Sequence, residues 1–266
     1  MLSVEQQDEF ARSGILRIPG AIAPRDAEKM RNVVWTSLHR RYEIRRDVPD
    51  TWKARRISGM HDLPRSETFA QIGSPAVREA LNDLLGRGNW EPPERWGSLL
   101  VTFPESRDRW DVPRQGWHLD FPAKRSLPGL FCVRIFTCLA KLPKGGSGTL
   151  FVEGSHRLVE GLCEIEGVEK LKSADARNAL IARYSWVRDL CSRDGAGGRI
   201  ERFMERSEAP DDIELRVIEM TGEPGDVLLA HPRLLHAGAK NCTSVPRLVL
   251  SSIVHRSGLN WASAFV

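Results

Sequence analysis

The chain has few cysteines, no long apolar run and no strong excess of one charge, and each shortage removes a class of function. Its five cysteines, Cys132, Cys138, Cys163, Cys191 and Cys242, are odd in number and form no Cys-x-x-Cys pair. Neither a disulfide framework nor a zinc ribbon follows, and a reducing, cytoplasmic setting is expected. No apolar run of about 18 residues occurs, and no basic stretch followed by an apolar one opens the chain, so membrane spanning and secretion lack support. Thirty-nine Lys and Arg against 35 Asp and Glu give a net charge of +4, too even a balance for a dedicated nucleic-acid binder. Internal repeats and low-complexity tails are also missing.

What is present fits one domain. At 266 residues and 41% apolar content the chain is long enough for a well-buried core. Residues 1–95 read as helical support. Val4 to Phe10 suggests a short helix; Pro24 to Tyr42 carries Ala27, Met30, Val33, Val34 and Leu38 at helical spacing, with Pro24 suited to a first turn. Pro75 to Leu85 repeats the pattern behind Ser74, a plausible N-cap, and ahead of Gly86 as the stop.

From Trp96 the character changes to short strand-like runs: Ser98 to Phe103, Gly116 to Phe121, Phe131 to Leu139, Gly148 to Glu153, Ile213 to Met220, Asp226 to Ala230 and Arg247 to Val254. Separated by Gly and Pro turns, they predict a mainly β core over 96–256, a sandwich or barrel with flanking helices. Residues 158–210 form an insertion, helical over 168–187 and Gly-rich over 194–198, readable as a substrate lid or as a structural or oligomer-contacting element.

The chemistry concentrates in Gly116-Trp117-His118-Leu119-Asp120-Phe121-Pro122, answered downstream by His236 and Arg247. Residues i and i+2 of a strand share a face, so His118 and Asp120 aim at one point while Leu119 turns away. His236 follows the strand-like Val227-Leu228-Leu229-Ala230 and can close the triad. Two neutral imidazoles and a carboxylate on one face of an octahedral metal leave three positions open, the arrangement of non-haem Fe(II) oxygenases. Arg247, eleven residues after His236, interrupts an apolar strand. A guanidinium is costly to bury there unless it meets an anion, and its planar fork suits a carboxylate. His231 is the rival third ligand, His156 reads as a loop hydrogen-bonder, and His39, His61 and His255 lack ligand spacing.

Gly225-Asp226-Val227, Leu235-His236-Ala237-Gly238-Ala239-Lys240-Asn241 and Arg247, together with His118-x-Asp120, Gly154-Ser155-His156 and the opening Ser13 to Gly20, resemble the phytanoyl-CoA dioxygenase superfamily of Fe(II)- and 2-oxoglutarate-dependent oxygenases. The resemblance covers most of the chain in outline and is weakest between Arg157 and Met220. It implies a double-stranded β-helix, or cupin-like jelly roll, with His118, Asp120 and His236 as iron ligands. Arg247 would bind the distal carboxylate of 2-oxoglutarate. Many members carry a hydroxyl residue two positions after the second histidine; here that position is Gly238, which leaves Thr102 or a water as the second donor. The retained Asp120 favours oxygen insertion over halogenation. The implied reaction is hydroxylation of a small molecule with molecular oxygen, releasing succinate and CO2.

For the substrate, Arg134, mid-strand among apolar neighbours, and Trp110, just ahead of the ligand pair, are the candidates. Arg107, Arg109 and Arg114 stand beside them; each arginine is equally readable as paired with a structural carboxylate. Two other classes remain: a cupin-like metalloprotein that does not use 2-oxoglutarate, and a non-catalytic binding protein on the same fold.

Overall fold

The computed structural model describes residues 1–53, 57, 60–105, 109–127, 129–165, 169–194 and 197–259. Local chemistry sets the N-terminal elements. In α1 (Val4–Ser13) the Ser3 hydroxyl accepts from the Gln6 backbone N–H while the Gln6 side chain accepts from that of Ser3, a reciprocal cap worth about 1 kcal/mol. Gly14, at φ 77°, ends the helix and turns the chain into β1 (Ile15–Ile18). Next come α2 (Pro24–Tyr42), with proline in its first turn, and the short α3 (Glu67–Ala70). In α4 (Pro75–Leu85) the Ser74 hydroxyl accepts from Val77 N–H, as expected of an N-cap.

The remaining elements are β2 (Ser98–Thr102), β3 (Ala123–Lys124), β4 (Cys132–Cys138), β5 (Leu150–Glu153), α5 (Ser155–Glu164), β6 (Lys170–Leu171), α6 (Ser173–Arg183), α7 (Ser185–Leu190), β7 (Arg216–Glu219), β8 (Val227–Ala230), β9 (His236–Ala237) and β10 (Arg247–His255). Five strands form an antiparallel sheet in the order β1-β8-β4-β10-β2; β7-β5-β9 form a second, and β3-β6 a small ribbon. The N-terminal segment is thus more than helical support, since β1 pairs with β8 at the edge of the large sheet.

Period-two alternation sorts side chains into layers. Val133, Ile135, Leu248, Leu250 and Val254 join Met30, Val34, Leu38, Val77 and Leu81 beneath the N-terminal helices. Their alternates Phe136, Cys138 and Val249 meet Phe151, Met220, Leu228 and Leu234 between the two sheets. On the far side Leu150, Val152, Val217 and Leu235 pack against Leu158, Val159, Leu180, Trp186 and Val187. The layering is helices, five-stranded sheet, three-stranded sheet, helices, a mostly antiparallel β protein of cupin-like layout.

Two sequence expectations change. Residues 116–121 form no strand: His118 makes an isolated bridge, because Gly116 takes φ 86° and Pro122 supplies no N–H. The helical stretch expected over 168–187 divides into α6 and α7 at Tyr184, whose φ of −113° is not helical, and residues 166–168 lie outside the described set. The described helices of the insertion back the outer face of the small sheet. No described helix is long and apolar enough to cross a membrane.

Candidate metal centre

His118 and His236 are joined through their backbones. His118 N–H donates to the His236 carbonyl at 2.9 Å and His236 N–H returns the bond at 3.1 Å. In such an antiparallel pair the two side chains leave on the same face, and the imidazole centroids stand 4.2 Å apart. Each ring is then oriented by a carbonyl two residues upstream, with His118 Nδ1 2.7 Å from Gly116 O and His236 Nδ1 2.9 Å from Leu234 O. A carbonyl only accepts, so Nδ1 carries the proton and Nε2 presents its lone pair, the form that binds metal.

Asp120 completes the group. Its carboxylate oxygens lie 3.6 Å from His118 Nε2 and 3.3 Å from His236 Nε2. One ligand atom from each residue falls within 4.8 Å of the others, the only such cluster among the described residues. The His236 side chain is 7% exposed, against 52% for His118 and 30% for Asp120, so one wall is dry and the other open to small molecules. Burial, then Arg134 and His118, push the His236 pKa down to about 3, which keeps it neutral at ordinary pH. This donor set suits a divalent first-row metal with open coordination positions.

Arg134, on β4, faces the space between the sheets. Its Nη1 meets the Asp120 carboxylate and stands 3.1 Å from His236 Nε2, while Nη2 donates to Ser251 Oγ at 3.2 Å. Of the two expected partners, an acidic substrate or a carboxylate of the protein, the structure supplies the second. Burial lowers its pKa to about 10, which leaves it a cation.

Arg247 opens β10, buried, directly opposite Thr102 in the β10–β2 register. Its Nη2 donates to Thr149 Oγ1 at 2.9 Å, and its Nε has no hydrogen-bond partner among the described residues. Burial pulls its pKa to about 10, opposed by Cys138 and Glu219. A buried cation whose direct partner is a neutral hydroxyl is a ready site for an anion. Glu219, between the backbone N–H groups of the Gly145 region and Arg247, is raised to about 7 by burial. No atom lies within 4 Å of where a side chain would begin at Gly238, and its backbone avoids the positive-φ region.

Thr149 escaped the sequence reading, although Gly148 to Glu153 was read as a strand. The alternation that turns Leu150 outward and Phe151 inward puts Thr149 on the inner face; only the sheet-to-sheet packing shows that Arg247 is there to meet it.

The other candidates stand apart. His231 Nε2 is 3.5 Å from Glu160, its ring centroid is 4.6 Å from that of His156, and burial drives its pKa well down. His156, lowered to about 4 by burial, stands 3.1 Å from the Ala11 carbonyl and ties α5 to α1. Trp110 packs beside Gly145 and against the outer cluster of the small sheet. Arg114 donates to the Asp194 carbonyl at 3.0 Å, Arg109 lines a surface cavity with Arg199 and Glu201, and Arg107 lies outside the described residues.

The family model described as phytanoyl-CoA dioxygenase (PhyH) matches residues 10–249. No curated protein matches the sequence. Among solved structures, the epimerase SnoN in complex with Fe3+, alpha ketoglutarate and nogalamycin RO superposes with a TM-score of 0.54 at 17% identity, over 95% of this chain and 83% of that one. A second structure, the non-heme alpha ketoglutarate dependent epimerase SnoN from nogalamycin biosynthesis, gives 0.51 at 16% identity, over 97% and 87%. Identities this low carry the fold and not the reaction.

Proposed function

The chain belongs to the phytanoyl-CoA dioxygenase family of Fe(II)- and 2-oxoglutarate-dependent oxygenases, and from that premise we propose that it hydroxylates a small organic molecule, consuming molecular oxygen and releasing succinate and CO2. His118, Asp120 and His236 hold the iron; Arg247, supported by Thr149, takes the distal carboxylate of 2-oxoglutarate. The two sheets are the walls of a double-stranded β-helix forming one oxygenase domain, and the five free cysteines fit a cytoplasmic setting.

One observation carries this reading. Two imidazole lone pairs, fixed by carbonyls on their opposite nitrogens, converge with a carboxylate, and a buried arginine whose direct hydrogen-bond partner among the described residues is the neutral Thr149 hydroxyl faces the same inter-sheet space. When bound, iron and the keto acid supply the oxidising power. The protein contributes position: the backbone bridge sets the spacing of the two imidazoles, Asp120 supplies the anionic donor, and Phe136 and Phe151 exclude water from the inner wall. A cupin-like metalloprotein without the keto acid would leave Arg247 without a task.

Turnover of carboxyl-labelled 2-oxoglutarate tests the assignment: CO2 release that requires Fe(II) and is lost in His236→Ala supports it, and iron-independent or absent release contradicts it. A second reading is epimerisation, the activity of the two SnoN structures whose fold this chain shares. Isotopically labelled dioxygen separates the two: succinate takes one labelled oxygen in either case, but only a hydroxylase places the other in the product made from the substrate, while an epimerase returns an unlabelled stereoisomer.

A further inference from the structure

The Arg134 guanidinium is held at three points: the Asp120 carboxylate, His236 Nε2 at 3.1 Å and Ser251 Oγ at 3.2 Å. Its carbon sits 5.0 Å from the centroid of the Phe136 ring, which adds a cation–π contact. Because His236 Nδ1 gives its proton to Leu234 O, Nε2 is an acceptor, and Arg134 Nη1 donates to it. That lone pair is the one a metal would use. An Arg134 N–H and a metal ion cannot both take it, and the same nitrogen also engages the carboxylate ligand. Arg134 therefore contests two of the three donors.

Charge works in the same direction. Arg134 is a cation in a partly desolvated place, and a dication beside it is opposed by a repulsion that bulk water would have screened. Asp120 brings one negative charge against the three positive charges of Arg134 and a dication. A dicarboxylate brings the missing negative charge, with one end at the metal and the other at Arg247 on the same inner face.

We propose that Arg134 is a positioning residue that makes metal binding conditional on the keto diacid: it weakens the site for metal alone and so increases the mutual dependence of metal and 2-oxoglutarate. The inference rests on the iron and 2-oxoglutarate reading and assigns this one arginine a task within it. By linkage, whatever factor the keto acid adds to metal affinity the metal returns to the keto acid.

Mn(II) binding, followed by calorimetry with and without saturating 2-oxoglutarate, measures this without turnover. Arg134→Met is expected to bind Mn(II) alone about tenfold more tightly than the parent, and the factor by which 2-oxoglutarate tightens Mn(II) is expected to fall by a similar amount. A purely structural role would move affinity the other way, toward weaker binding under both conditions. Arg134→Gln removes the charge but keeps an amide donor for Asp120, and it reads the same quantity should Arg134→Met fail to fold. Mn(II) affinity in the folded neutral variant no higher than the parent's, with unchanged coupling, overturns this inference alone. If the parent binds no Mn(II) that His118→Ala removes, the inference falls together with the proposed function.

Discussion

His118 and His236, far apart in sequence, exchange both backbone hydrogen bonds at 2.9 and 3.1 Å and so present their imidazoles side by side. The main chain holds them there, and removal of one ring should leave the other in place. His118→Ala is expected to keep the melting temperature within about 3 °C of the parent, as substitutions outside the core do. Mn(II) affinity should fall by more than roughly a hundredfold. Calorimetry on the folded variant checks both; a large loss of stability would mean that the ring supports the fold.

Thr149 is the direct partner of the Arg247 guanidinium. Thr149→Val keeps the shape and removes the acceptor, leaving a buried donor under-satisfied at a cost of about 1–3 kcal/mol. Chemical denaturation should show that loss, and the KM for 2-oxoglutarate should rise while the oxygen dependence stays put.

At Gly238 there is open space and an ordinary backbone. Gly238→Ser should therefore fold normally and offer the hydroxyl that many relatives place at this position. Binding of 2-oxoglutarate is expected to tighten severalfold, corresponding to about 1 kcal/mol for one added hydrogen bond. A weaker titration in the variant would show that the keto acid does not pass beside this residue.

Burial raises the Glu219 carboxyl to about 7, so the folded chain holds this proton more tightly than the unfolded chain does. Between pH 4.5, its ordinary value, and about 7 the native state binds more protons, and this group's contribution to stability falls as pH rises through that window. Glu219→Gln removes the dependence. The variant should be more stable than the parent at pH 8, by an amount on the order of 2 kcal/mol, and the gap should close toward pH 4. The ionised carboxylate also offsets Arg247, so the parent's KM for 2-oxoglutarate should climb above pH 7 and the variant's should stay flatter.

Much of this molecule was legible wherever the signal is local. Pro24, Ser74, Pro75 and Gly86 set the ends of α2 and α4 through backbone chemistry that needs no distant partner. The His118-x-Asp120 spacing announced two donors on one face, although the expected strand reduces to a single bridge: Gly116 and Pro122 interrupt pairing, and His236 alone supplies the register. The partners of the arginines were not legible. Arg134 reads as a charge among Val133, Ile135 and Phe136, and only the return of β4 past the ligand loop brings Asp120 to it. Thr149 acquires its role because β5 and β10 belong to facing sheets, a relation that no local pattern encodes. The insertion was ambiguous for the same reason: an apolar stripe in α5 says that something is buried and not which sheet buries it.

An anaerobic titration with Fe(II) and then 2-oxoglutarate, watched for the visible charge-transfer band of the chelate, tests the metal and keto-acid site directly. The parent should develop the band, His236→Ala should lose it, and Arg247→Ala should need far more 2-oxoglutarate to reach it. Iron bound by the parent with no band at saturating keto acid would contradict the site assignment.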